Sequence, residues 1–546
     1  MPAVTRRHFH VRAAPVTQDS LRIPARRRSS HRRTVLPRRA SILAGEVPMH
    51  LVRSLACSCL LAMPVAASAA DSSRYTVEKL ADGVHAVIYN ADVDVEGNTL
   101  IVINEEDVFV VDTNAGLTTA RATIEEIKRL TPKPVRYVVN THWHDDHVFG
   151  NQAYADAYPG VQIIAHPLTR EDIVAHAFAN NAYVLDIIES DIVRLGGYLE
   201  TNTYRDGKPL TPELKTRVEH GLRVRKEMLA DRKILRAEPP TVDVADSFTL
   251  KRGSRDIEIK FLGRGNTRGD LVVYLPKERI VATGDLVVAP VPYATNVYAQ
   301  EWVKTLDRLM ALPATTILPG HGPVMRDWSY VQRVKGALVD TIAGVATARK
   351  EGLTLAQTTE RVQLPELRDS FVQGIETRRQ GYEAFFRPTL IRNVWEELDS
   401  DVMGAYSSAS MKKLAEGVFM YGARGSKQGM TLLVNEKDVV LVNPPESATM
   451  ARAAVRATRE LTDKRVRYIV VTDREAPASK GLEVLREVYN QADVVSGNGS
   501  GAGIVVSDVL TLHRGEREIR INREKDGSLV VEIPAEKLRV GARVES

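Results

Sequence analysis

Cysteine is nearly missing from this chain. Its 546 residues include two, Cys57 and Cys59, both in one short apolar stretch near the beginning. Beyond that stretch no disulfide can staple the fold and no thiolate can hold a metal, so stability must come from packing alone. Long apolar runs are missing too. Leu55 to Ala67 supplies thirteen residues, short of the roughly 20 that a helix needs to cross a bilayer. Positive charge is missing from the body of the chain, although the total is +5. Residues 1–48 hold eleven arginines against Asp19 and Glu46, and Arg53 adds one more, which leaves −5 from Ala70 onward. An acidic body argues against a protein that tracks nucleic-acid phosphates. The apolar fraction of 44% and charged fraction of 26% are those of an ordinary soluble domain.

What is present begins with an export signature. In MHLVRSLACSCLLAMPVAASAA, residues 49–70, Arg53 gives the short positive region, Leu55 to Ala67 the apolar core and Ala67-Ser68-Ala69 a small-residue cleavage site. This reads as a signal peptide. The mature chain is then expected to start at Ala70 or Asp71, in the periplasm or the medium, with no stable membrane insertion after cleavage. Met49 becomes the expected start, and residues 1–48 a disordered basic tail or upstream sequence.

From Tyr75 the pattern alternates. NTLIVIN (98–104) and DVFVVDT (107–113) are short β-rich runs, GLTTARATIEEIKRL (116–130) has helical spacing, and VRYVVN (135–140) is a buried strand. VQIIAHP (161–167) is another strand, and 168–240 reads as a helical insert. Strands return before a helix at 301–312 and a last strand, TTILPGHGP, at 315–323. Residues 326–405 are a helical extension of the unit 75–325. The rest repeats what came before: KLADGV (79–84) returns as KLAEGV (413–418), VRYVVNTHWHDDHVFG (135–150) as VRYIVVTDREAPASKG (466–481), FTLKRGSRDIEI (248–259) as LTLHRGEREIRI (510–521), and LVVYLPKERI (271–280) as LVVEIPAEKL (529–538). Four matches in the same order imply a duplication, with 411–546 a shortened second copy.

The chemistry sits in THWHDDHVFG, residues 141–150. If this stretch is extended, His142, His144 and Asp146 share one side and His147 points elsewhere. Imidazole and carboxylate are the donors that zinc and related ions take. The second copy has Asp473, Glu475, Pro477 and Ala478 at these positions, so it is expected to bind no metal and to survive for packing or for contacts between copies of the chain in a homo-oligomer. Single histidines carry less weight. His166 ends a strand and reads as structural, while His176 lies in the insert and reads as a surface-helix residue with pocket lining as its alternative. Tyr183, Tyr198 and Tyr204 read as cleft caps or as buried aromatics of the insert.

The run His142, His144, Asp146 and His147 resembles the H-x-H-x-D-H motif of the metallo-β-lactamase superfamily. GNTRGD (265–270), ATGDLV (282–287) and LPGHGP (318–323) follow in that family's order. The resemblance covers about 75–325 and implies an α/β fold, an αββα sandwich with metals at one edge. By it, His142 and His144 belong to a first zinc, Asp146, His147 and His321 to a second, and Asp285 lies between them. It also implies hydrolysis of an ester, thioester, lactone or amide bond in a small molecule by metal-bound hydroxide, since zinc lowers the pKa of its water to about 7. Asp146 would orient that nucleophile.

Asn266 departs from the pattern, standing where the first site has its third histidine. An amide oxygen is a weaker donor, so Asn266 is expected to be a weak ligand and the two sites unequal. Aspartate at 285 resembles hydrolases of the glyoxalase II type more than the β-lactamases. Two readings compete with a zinc hydrolase: a non-catalytic metal- or ligand-binding protein of the same fold, which Asn266 and the altered second copy suggest, and a nuclease, which the acidic body and the export signal oppose.

Overall fold

The computed structural model describes residues 75–89, 96–178, 181–205, 207–423, 429–473, 479–498 and 503–541. The basic tail and the signal segment expected from the sequence lie outside the described residues, as do Glu475, Pro477 and Ala478.

Two sheets face each other in the first half. One has seven strands in chain order: β1 (Tyr75–Ala81), β2 (Val84–Tyr89), β3 (Thr99–Ile103), β4 (Val108–Val111), β5 (Val135–Val139), β6 (Gln162–Ala165) and β7 (Val242–Asp243). Its first four strands run antiparallel and the others join in parallel. The other sheet holds β8 (Ser247–Arg252), β9 (Arg255–Phe261), β10 (Leu271–Leu275), β11 (Ile280–Ala282) and β12 (Thr316–Leu318).

Strand alternation turns these sheets into four layers. Leu100, Val102, Phe109, Val111 and Ile164 meet Ile257, Ile259, Leu271, Val273 and Leu275 between the sheets. Ile101, Val108, Val110 and Ile163 face the other way, onto helices α1 (Leu117–Leu130) and α3 (Asn151–Ala157), on either side of the short α2 (Asp145–Val148). Helix α4 (Pro167–Asp172), a π-helical turn at Ile173–Phe178, α5 (Asn181–Thr201) and α6 (Pro212–Ile234) form the insert. On the outer face of the second sheet, Val272, Tyr274, Val281 and Ile317 pack under α7 (Ala299–Met310) and under helices of the extension. That extension is α8 (Ser329–Lys350), α9 (Leu355–Arg361), α10 (Pro365–Val372), α11 (Glu376–Gly381), a π-helical turn at Tyr382–Phe386, α12 (Arg387–Glu397) and α13 (Ser400–Ser408).

A second pair of sheets then repeats the order. Strands β13 (Ala409–Ala415), β14 (Val418–Ala423), β15 (Met430–Val434), β16 (Val439–Val442), β17 (Val466–Val470), β18 (Asp493–Ser496) and β19 (Ile504–Val505) form seven neighbours in sequence. Strands β20 (Val509–Arg514), β21 (Arg517–Arg523), β22 (Leu529–Ile533) and β23 (Leu538–Val540) form four. Helices α14 (Ala448–Leu461) and α15 (Lys480–Val488) cover the larger sheet, so this half has three layers. The hydrogen bonds repeat as well. Asn104 Nδ2 donates to Asp107 Oδ1 at 3.0 Å, Lys133 Nζ to the Asn104 carbonyl at 2.7 Å and Arg255 Nη1 to the Ile103 carbonyl at 2.8 Å. Asn435, Asp438, Lys464, Arg517 and Val434 make the same bonds at 3.1, 2.9 and 3.0 Å.

No described helix is long and apolar enough to cross a membrane.

Candidate metal centre

The motif leaves the sheet at the end of β5 and does not stay extended. A helical turn begins at Asp145, and the peptide N–H of His147 donates to the His144 carbonyl at 3.1 Å. The turn breaks the two-residue alternation, so Asp146 does not share a side with His142 and His144. Two groups result: His142, His144 and Asp285 in one, and Asp146, His147 and His321 in the other.

Asp285 lies between them. It sits on a tight turn, Gly284–Leu286, after β11. Its Oδ2 is 3.6 Å from His142 Nε2 and 3.9 Å from His144 Nδ1, while its Oδ1 is 3.3 Å from His147 Nε2 and 3.5 Å from His321 Nε2. Asp146 Oδ2 completes the second group at 3.4 Å from His147 Nε2 and 2.9 Å from His321 Nε2. Close packing keeps the parts in place. A Cβ on Gly320 would come within 2.0 Å of Asp285 Oδ1, and one on Gly97 within 2.6 Å of the His147 ring. Asn98 donates from Nδ2 to the carbonyls of Pro319 and Gly322 at 3.0 and 2.8 Å, fixing the loop that carries His321.

Asp112, which the sequence reading passed over, organises the imidazoles. It ends β4 in a left-handed conformation, φ 61°, an uncommon one for a residue other than glycine. Its Oδ1 accepts the Thr141 N–H at 2.8 Å, and its Oδ2 accepts from Thr141 Oγ1 and His147 Nδ1, both at 2.8 Å. With its proton given to Asp112, the Thr141 hydroxyl can only accept from His142 Nδ1, 3.0 Å away. Both rings therefore hold a hydrogen on Nδ1, so that Nε2, once free of any proton, turns its lone pair inward, the arrangement a metal ligand needs. A carboxyl at the end of an entirely apolar strand was the signal that could have found Asp112.

The residues present fit a metal. Four imidazoles and two carboxylates converge, and among the described residues neither Asp285 Oδ1 nor either amide atom of the buried Asn266 has a hydrogen-bond partner. Charge points the same way. Burial alone would raise the Asp285 carboxyl, but His147, His321 and His142 outweigh it and hold it well below the usual range. Burial pushes His142 down to about 4. In His147 burial also lowers the value, but Asp146, Asp285 and Asp112 outweigh it and raise it well above the ordinary one.

Residues 93–321 match the family profile described as the metallo-β-lactamase superfamily. The chain carries a metallo-β-lactamase superfamily domain. A linear primary-alkylsulfatase of Pseudomonas sp. is 26% identical over 274 residues, which cover 48% of this chain and 48% of that protein. A type 2 metallo-β-lactamase of Bacillus cereus is 29% identical over 93 residues, 16% of this chain and 36% of that protein. The chain thus spans about half the length, or less, of these curated relatives. Among solved structures, a metallo-β-lactamase from Pontibacter korlensis is 22% identical over 48% of this chain and 98% of that one, with a TM-score of 0.33.

Beside the first group of this metallo-β-lactamase domain lies a cavity of about 60 Å³ whose lining includes Trp143, His144, His176, Asn266 and Arg268. His176 is a correction to the surface reading. It is 4% exposed, because the π-helical turn rolls it inward, and its ring packs on Trp143 with centroids 4.9 Å apart. His166 caps α4, accepting the Leu168 N–H at 3.2 Å, and stacks on Phe261. Tyr198 and Tyr204 pair with each other in a small cluster formed by α5, α6 and the loop between them, within the insert. The sequence motif GNTRGD closes on itself. Asp270 accepts from the Thr267 N–H and hydroxyl, and burial pushes its carboxyl up to about 7.

Proposed function

We propose that this chain is an exported zinc-dependent hydrolase of small molecules. The observation that carries the reading is the pair of histidine–carboxylate groups joined through Asp285. His142, His144 and Asp285 would hold one zinc, with Asn266 as a weak fourth donor; Asp146, His147, His321 and Asp285 would hold the other. Zinc supplies Lewis-acid polarisation of the scissile group and water acidified to a pKa of about 7. The chain's own part is positional. Asp112 keeps His142 and His147 in the ligating tautomer, and Asp146, 14% exposed at its side chain, would orient an attacking water. The bond cleaved is an ester, thioester, lactone or amide, and the alkylsulfatase relative adds sulfate esters to that class.

The test is hydrolysis of a panel of these substrates by zinc-loaded protein, alongside His321→Ala. Turnover that needs zinc and disappears in the variant supports the reading. A protein that binds zinc and turns over nothing on the panel replaces it with a non-catalytic metal-binding one. Export is supported by the order of Arg53, apolar core and Ala67-Ser68-Ala69. Material from the periplasm or medium whose N-terminus is still Met49 or earlier would remove it.

A further inference from the structure

We propose that the second copy forms a wall of the first copy's substrate cleft, and that Arg456 on α14 holds an oxyanionic group of the substrate, a sulfate or a carboxylate. The inference deepens the hydrolase reading and rests on it for the word substrate.

The cavity beside His144 is not closed by the first copy alone. Its lining includes Asn393 and Glu396 from α12 and Arg456, Arg459 and Glu460 from α14. The same helix does something different in each copy. On α1 the counterparts of these three residues are Glu125, Lys128 and Arg129, whose side chains are 60%, 54% and 64% exposed. On α14 the three are 10%, 13% and 34% exposed. A face that meets solvent in the first copy therefore meets the cleft in the second. Charged side chains are rarely buried without a partner, because desolvation costs several kcal/mol per ion (on the order of that figure after relaxation).

The partners hold the cations unequally, and Arg456 has the loosest ion pair of the three, its Nε 3.8 Å from Glu460. Arg268 is held by Asp172 at 2.8 and 2.6 Å, and Arg459 by Glu396 at 2.7 Å. Glu460 accepts from the Tyr406 and Tyr298 hydroxyls. Arg456 is 8% exposed, and its Nε has no hydrogen-bond partner among the described residues. Its guanidinium lies over the rings of Tyr298 and Tyr406 at 5.9 and 5.5 Å. A flat, five-donor cation set beside two aromatic rings, with its Nε–H free of a hydrogen bond, is suited to a planar or tetrahedral oxyanion. The amide of Asn266, without a hydrogen-bond partner among the described residues, lines the same cavity and can donate from Nδ2.

Trp143 lines the cavity and reports on it. Inorganic sulfate would be titrated into the full-length protein while tryptophan fluorescence is followed, with Trp143→Phe identifying the signal. Saturable quenching is expected, weakened about tenfold in Arg456→Gln, the loss of one charge-assisted hydrogen bond. Arg456→Lys should lose roughly threefold, keeping charge without the fork. Arg452→Ala, one turn earlier on α14 and outside the cavity lining, should bind as the parent does. Where Arg456→Gln unfolds, the lysine variant decides. Sulfate affinity that neither Arg456 variant changes overturns the inference, and so does an absence of sulfate binding in the parent. Arg456-dependent binding by a protein that hydrolyses nothing keeps the anion site and removes the hydrolase reading; turnover with sulfate binding indifferent to Arg456 does the reverse.

Discussion

Asp112 lies outside the histidine run, yet the three atoms that donate to its carboxylate among the described residues all belong to that run's first residue or to a ring of the cluster. Asn443 shows the alternative in the second copy. It has the same left-handed backbone, φ 62°, and accepts from the Thr472 hydroxyl, but no imidazole is left for it to orient. Asp112→Asn should therefore fold and bind zinc about 10- to 100-fold more weakly, the usual range when a ligand's supporting partner is removed. Competition against a chelator measures this, and an unchanged affinity would leave Asp112 a purely structural residue. Asn266 gives a second expectation. Wild-type zinc titration should resolve one tight and one weak site, and Asn266→His should bring the weak one toward the tight one, imidazole being the better zinc donor. Two equal tight sites in the wild type would contradict the asymmetry. The histidine cluster was legible because ligands crowd into one short stretch. Asp112, His176 and Arg456 were not, because each depends on a neighbour distant in sequence or on a local helical turn that alternation does not foresee.

At the scale of elements, the strands and most helices were readable from period and punctuation, and the correspondence of the two copies was readable from the repeat. What the repeat did not reveal is that its two copies differ by a layer. Tyr274 and Val281 point into the helical layer over the second sheet, and their counterparts on β22 and β23 are Glu532 and Arg539. Those two form a cross-strand ion pair at 3.6 Å on a solvent face, with side chains 38% and 52% exposed. Polar substitution at alternate positions is how a sheet adapts to losing its cover. Tyr274→Glu should cost about 3–5 kcal/mol, the range for a buried charge without a partner, and should appear as a lower urea midpoint. Glu532→Tyr should shift that midpoint by less than about 0.5 kcal/mol, as surface substitutions do. Equal effects at the two positions would mean that the outer faces are not differently buried.

The whole molecule depends on a joint that neither copy's internal pattern announces. Glu396 on α12, its side chain 8% exposed, meets Arg459 on α14 at 2.7 Å, tying the helical extension to the second copy at the edge of the cleft. Burial alone would raise the Glu396 carboxyl, but Arg459, Arg392 and Arg456 outweigh it and hold it below its ordinary value of 4.5. The sign follows from linkage. A carboxyl depressed in the folded state adds stability that is fully present above its unfolded pKa and is lost as pH falls through the folded one. Near pH 7 the full contribution is in place, and Glu396→Gln, which leaves Arg459 buried without its anion, should destabilise by about 3–5 kcal/mol. Because Glu396→Gln leaves the metal-site residues unchanged, the difference between wild type and variant isolates this joint. That difference should be constant from pH 7 to about 5 and shrink below 4.5, the window that the depressed value defines. Thermal melts of both proteins at matched pH measure it. A difference that stays level down to pH 3, or that grows as the solution is acidified, would show that the ion pair is not what holds the second copy against the cleft.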